Sequence, residues 1–142
     1  MTTAHALTTF VEDADVARNQ ETIIFIGPQN HPTLSPLVTE MKSRGLRLVA
    51  ATTAADLAPI LRDHARTTVV VYCERSGQAG HQVLEQLSQA RRHTPVIVVV
   101  DRADFTHYYE LMCAGAYDYY ELSEGPEVIA RAVRWAARTR GA

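Results

Sequence analysis

The chain has little of what usually announces a chemistry. Among its 142 residues there are two cysteines, Cys73 and Cys113, and neither has metal-ligand spacing. They lie in an apolar strand end and an apolar helix, settings typical of small buried thiols in reduced, cytosolic proteins. No apolar run approaches the length needed to cross a bilayer, and the N-terminus lacks a signal-peptide core, so the sequence reads as cytoplasmic with no membrane role. There is no surplus of charge either: the net charge of −2 leaves no footprint for nucleic acid. The six histidines (His5, His31, His64, His81, His93, His107) show no paired helical spacing and are read as surface residues, so no metal is expected. No Ser/His/Asp order, phosphate-cradling glycine loop or dinucleotide fingerprint appears, because Gly77 and Gly80 do not open a helix with the required pattern. Nothing calls for a cofactor.

What is present is enough for one domain with a proper core, 46% hydrophobic and 21% charged. Residues 1–20 are polar and rich in alanine and threonine, with at most a short helix around Val11–Ala17, and are read as an N-terminal extension. Charge is uneven. Glu12, Asp13 and Asp15 stand against Arg18 at one end, and Arg131, Arg134, Arg138 and Arg140 against Glu127 at the other, where cations complement a helix C-terminus.

From residue 21 the chain alternates. Thr22–Ile26 is a β-branched apolar run ending at Gly27-Pro28, a strand and a turn. Ser35-Pro36 supplies a helix cap and first-turn proline, Leu37, Val38 and Met41 form one face, and Gly45 ends that helix. Leu46–Ala51 is a second strand, and Leu57, Ile60 and Leu61 mark a second helix. The third strand, Thr68–Cys73, leads through a loop holding Gly77 and Gly80 to a helix striped by Val83, Leu84 and Leu87. Val96–Val100 is the fourth strand. Tyr108, Leu111 and Met112 place a fourth helix, which Gly115 terminates. Tyr117–Leu122 is the fifth strand, and Pro126 opens a fifth helix with Val128, Ile129, Ala132, Val133 and Ala136 on one face. Five βα units in succession require right-handed crossovers and a parallel sheet covered on both faces. The expected fold is α/β and flavodoxin-like: a doubly wound, five-stranded parallel sheet of order 2-1-3-4-5. Function in such sheets gathers at the carboxyl ends of the strands.

Ala114-Gly115-Ala116-Tyr117-Asp118-Tyr119 resembles the Ala-Gly-Ala-x-Asp-Tyr segment of the response-regulator receiver family, and Pro126-Glu127 follows as in that family. Gly80 before Val83-Leu84 and the Thr94-Pro95-Val96-Ile97 start of the fourth strand are similar to it as well. The resemblance spans roughly residues 21–140 and makes 21–142 an atypical receiver domain. It implies aspartyl phosphorylation: an acidic pair after the first strand and an aspartate ending the third hold magnesium, a hydroxyl ends the fourth, and a lysine follows the fifth. Carried over, the acidic pair is Gly27 and Pro28 (Gln29 if the loop shifts by one), the phosphoacceptor is Tyr72, the hydroxyl is Val100, and the lysine is Leu122 with Ser123 after it. A phenol with a pKa near 10 is neutral at pH 7 and a poor magnesium ligand. Only the switch aromatic survives, as Tyr119. The expectation is a pseudo-receiver with no catalytic residue, not an enzyme, that signals without phosphorylation.

By the same resemblance the signalling surface is the fourth helix, fifth strand and fifth helix. That segment holds Tyr108, Tyr109, Tyr117, Tyr119 and Tyr120 together with Trp135, residue types that recur in interface hot spots. Tyr119, Trp135, Tyr109 and Tyr120 are the interface or switch candidates. Tyr108 and Tyr117 are read as core rings, while Trp135 and Tyr119 stand between core and interface. The expected partner is another protein or a second copy. An output domain C-terminal to residue 142 (cyclic-di-GMP, ATPase or transcriptional) is the expected continuation. Two alternatives stay open: a degenerate pocket in which Tyr72, Gly27 and Tyr119 bind a small ligand, and residual metal or phosphoryl chemistry through Glu74, Asp101 and Asp104.

Overall fold

A computed structural model describes residues 22–28, 31–64, 66–74, 79–90 and 92–141. The expected N-terminal extension, Gln29 and Gly77 lie outside the described residues. Five strands, β1 (Thr22–Ile26), β2 (Arg47–Ala51), β3 (Thr67–Glu74), β4 (Val96–Val100) and β5 (Asp118–Glu121), form one parallel sheet of order β2-β1-β3-β4-β5. The helices are α1 (Ser35–Ser43), α2 (Leu57–Asp63), α3 (Ala79–Gln89), α4 (Phe105–Cys113) and α5 (Pro126–Gly141). This is the flavodoxin-like order the βα alternation predicts.

The strand sequences explain the layering. β1 and β4 are buried at every position, so successive side chains alternate between two separate cores. Ile23, Phe25, Val69, Val71, Cys73, Ile97 and Val99 face α1 and α5. Ile24, Ile26, Val70, Tyr72, Val96, Val98 and Val100 face α2, α3 and α4. Each valine or isoleucine so buried is worth about 1.5–3 kcal/mol of transfer free energy.

Several local readings change. Ser35 does not cap α1: Leu34 occupies the N-cap, and the N–H groups of Leu34 and Ser35 both donate to His31 O in a preceding turn. Gly45, at φ +83°, does end the helix as expected. Gly80 belongs to the first turn of α3 rather than to a loop. Cys113 is exposed rather than buried. On α5 the buried face is Ile129, Ala130, Val133, Ala136 and Ala137, which turns Val128 and Ala132 away from the core. Alanines at 130 and 137 give α5 a smooth surface for close packing on α1 and β3. β5 stops at Glu121, because Leu122–Glu124 forms a 3-10 turn in which Glu124 Oε2 accepts from Glu121 N–H at 2.8 Å.

Candidate functional site

The carboxyl ends of β1, β3, β4 and β5 bring together the positions that the resemblance singles out. Lateral register sets Ile26, Tyr72, Val98 and Tyr119 in one row, with Val100 and Glu121 paired two residues further along. Tyr72 is 7% exposed and belongs to the core under α2, α3 and α4, as does Val100. Leu122 packs instead against the core under α1 and α5. Pro28 is exposed and Gly27 half-buried.

Gly27 adds a backbone feature to the side chains at these strand ends. Its φ is +153°, a conformation L residues rarely adopt, and its N–H donates to Ala51 O at 3.1 Å. A Cβ here would lie 3.0 Å from Cys73 Cβ, with Phe25 and Leu34 close behind. Cys73 fills that space as a neutral thiol: burial, reinforced by the charge of Asp101, pushes its pKa up to about 12. A side chain at Gly27 would need a strained backbone and a shift of Cys73 by a few tenths of an ångström. No lysine is within reach, since the chain's only one, Lys42, sits in the last turn of α1. α1 runs antiparallel to the strands, so that turn lies at their opposite end. The lysine count was legible in the sequence.

The loop between β4 and α4, residues 101–104, is tied to β5. Ala103 N–H donates to Glu121 Oε1 at 2.7 Å, and Ser123 Oγ donates to Glu121 Oε2 at 2.7 Å. The Ser123 hydroxyl first, then the Ala103 N–H and the charge of Arg102, hold the Glu121 carboxyl below its ordinary pKa. Tyr119 is buried, and its hydroxyl accepts from Asp104 N–H at 3.4 Å and lies 3.0 Å from His107 Nδ1. Asp104 spends its carboxylate as the α4 N-cap, accepting from His107 N–H at 3.1 Å. That leaves little of the expected Glu74, Asp101 and Asp104 constellation: Glu74 ends β3, and Asp101 lies beside Cys73. Among the described residues no group of three His, Cys, Asp or Glu side chains could hold a metal ion.

On the neighbouring surface Trp135 is 66% exposed and Tyr109 is exposed on α4. Tyr108 is exposed too, which corrects its reading as a core ring; it meets the buried Tyr119 edge-on at 5.5 Å between centroids. Tyr119 itself holds the loop from beneath rather than forming the surface. Tyr120 is half-buried, and its hydroxyl donates to Asp118 Oδ2 at 2.8 Å; burial first, then that bond, raises its pKa. Tyr117 is half-buried against the α1/α5 core. Phe105, which the sequence reading passed over, is 77% exposed and stacks on Tyr109 at 6.4 Å. Its signal was position: one residue after the Asp104 cap and four before Tyr109, it falls off the buried stripe set by Leu111. Between β5 and α5 a groove of about 570 Å³ is lined by Tyr117, Tyr120, Val128, Arg131 and Trp135. A second hollow of about 750 Å³ lies at the amino ends of β4 and β5, between the C-terminal ends of α3 and α4.

No protein-family model matches the chain, and no curated protein does. Solved structures match over most of it. The signal receiver domain of the response regulator NarL from Mycobacterium tuberculosis is 18% identical with a TM-score of 0.70, covering 85% of this chain and 99% of that one. The N-terminal part of FixJ is 23% identical with a TM-score of 0.69, covering 84% and 95%. A response regulator from Chloroflexus aurantiacus reaches a TM-score of 0.72 at 13% identity, covering 84% and 99%. At such identities the likeness is one of architecture: the chain has the fold of response-regulator receiver domains.

Proposed function

We propose that the protein is a phosphorylation-independent pseudo-receiver: a docking module of bacterial, cytoplasmic signal transduction that binds a protein partner or a second copy through α4, β5 and α5. The observation that carries this reading is the set of strand ends. Gly27, Pro28, Tyr72, Val100 and Leu122 offer no carboxylate to magnesium, no aliphatic hydroxyl and no ammonium to a phosphoryl group. The clamp of Glu121 and Tyr119 on the β4–α4 loop supports it, because α4 is held in place by groups of the chain itself. The exposed rings of Phe105, Tyr109 and Trp135 supply the apolar anchors such a face needs. An output domain C-terminal to residue 142 belongs to the same proposal.

Sedimentation of the wild type against Trp135→Ala tests the face. The variant is expected to associate about tenfold more weakly or worse, as for a hot-spot ring. Equal association of the two proteins would remove Trp135 from the interface.

A further inference from the structure

β5 ends the sheet among the described residues, so one side of it is open. In a parallel ladder alternate residues turn their main-chain groups to alternate neighbours. Val70 N–H donates to Pro95 O, which directs the main chain of Ile97 and Val99 toward β3 and that of Val96, Val98 and Val100 toward β5. Val98 pairs with Tyr119 and Val100 with Glu121, so β4 bonds the residues flanking these two. The N–H groups of Tyr119 and Glu121 therefore point out along the open edge.

Both are already taken. Tyr119 N–H donates to Asp118 Oδ1 at 2.9 Å, and Glu121 N–H donates to Glu124 Oε2 at 2.8 Å. The Tyr120 hydroxyl, bonded to the other Asp118 oxygen at 2.8 Å, fixes that carboxylate in place. An edge recruits another strand through its outward donors and acceptors. Here an incoming carbonyl would have to displace a carboxylate, a stronger acceptor than itself.

We propose that the β5 edge is closed to strand addition by the carboxylates of Asp118 and Glu124, so that partners on this side seat on side chains and not on the backbone. The closure stands on the hydrogen bonds of β5; only its consequence for partners rests on the docking reading above. Its nearest consequence is for the groove beside Trp135, where an added strand is excluded.

Amide hydrogen exchange followed by NMR, together with sedimentation, tests this on three proteins: the wild type, an Asp118→Ala, Glu124→Ala double variant, and an Asp118→Asn, Glu124→Gln double variant that keeps one neutral acceptor oxygen at each position. In the wild type the Tyr119 and Glu121 amides are expected to be protected although they face the edge. In the alanine variant they should exchange about tenfold faster or more, the loss expected for a hydrogen bond to a charged group. The Val98 and Val100 amides, which bond inward to β5, should stay protected, and the protein should self-associate with rising concentration. The Asn/Gln variant, whose neutral amide oxygens accept more weakly than carboxylates, should exchange at rates between those of the wild type and the alanine variant. Unprotected edge amides in the wild type would overturn the proposal, and that measurement decides alone should the alanine variant fail to fold. An alanine variant with unchanged exchange, or with released amides and no association, would overturn it too. Failure of the docking reading appears instead in the Trp135→Ala sedimentation and leaves these exchange rates untouched.

Discussion

Gly27 and Cys73 share one small space at the end of β1 and β3, and each explains the other. A glycine at φ +153° lets the Cys73 side chain close against the backbone, and a Cβ here would meet Cys73 Cβ at 3.0 Å, so that Cys73 would have to shift. Gly27→Asp is therefore expected to cost roughly 1–3 kcal/mol of stability, with Gly27→Ala costing a similar amount because the strain is steric rather than electrostatic. Urea denaturation checks both, and an unchanged midpoint for either would contradict the packing. The two cysteines should also behave differently. With its pKa pushed up to about 12, Cys73 stays a buried, neutral thiol, whereas Cys113 is exposed on α4. Iodoacetamide at about pH 8, near the ordinary thiol pKa, is expected to label the native protein once, at Cys113. Modification of Cys73 at a comparable rate would mean that this strand end is open.

At the scale of elements, the connection between β4 and α4 is where sequence and geometry part company. Val96–Val100 was legible to the residue, because five apolar residues between Pro95 and Asp101 have only one way to be buried on both faces. The clamp on the following loop was not, since the Glu121 to Ala103 bond joins groups 18 residues apart and leaves no periodicity to read. α5 was legible as a helix but not in its rotation: Ala130 and Ala137 rather than Val128 and Ala132 face the core, and packing on α1 decides among near-equivalent small residues. The clamp has a pH signature. The Glu121 carboxyl is held below its ordinary pKa, so its contribution is complete above the unfolded value of about 4.3 and is lost as pH falls through the lower folded value. The Ala103 amide proton, followed by NMR, should therefore titrate with an apparent pKa below about 4.3. A midpoint at or above that value would show that the carboxylate does not hold the loop.

The whole molecule separates a sealed end of the sheet from a side that carries exposed aromatic rings. Tyr72 and Val100 are built into the core where a receiver fold ordinarily keeps polar chemistry, and the exposed rings stand instead on the helices flanking β5. Trp135 is mostly solvent-exposed, so Trp135→Ala should leave the unfolding free energy within about 0.5 kcal/mol of the wild type. Weakened association alongside unchanged stability assigns the ring to docking rather than to folding. Signalling without a phosphoryl group, as proposed, is tested most directly by intact mass spectrometry after incubation with acetyl phosphate and magnesium. The strand ends predict an unmodified mass at every time point; a phosphoryl adduct on the folded protein would contradict it.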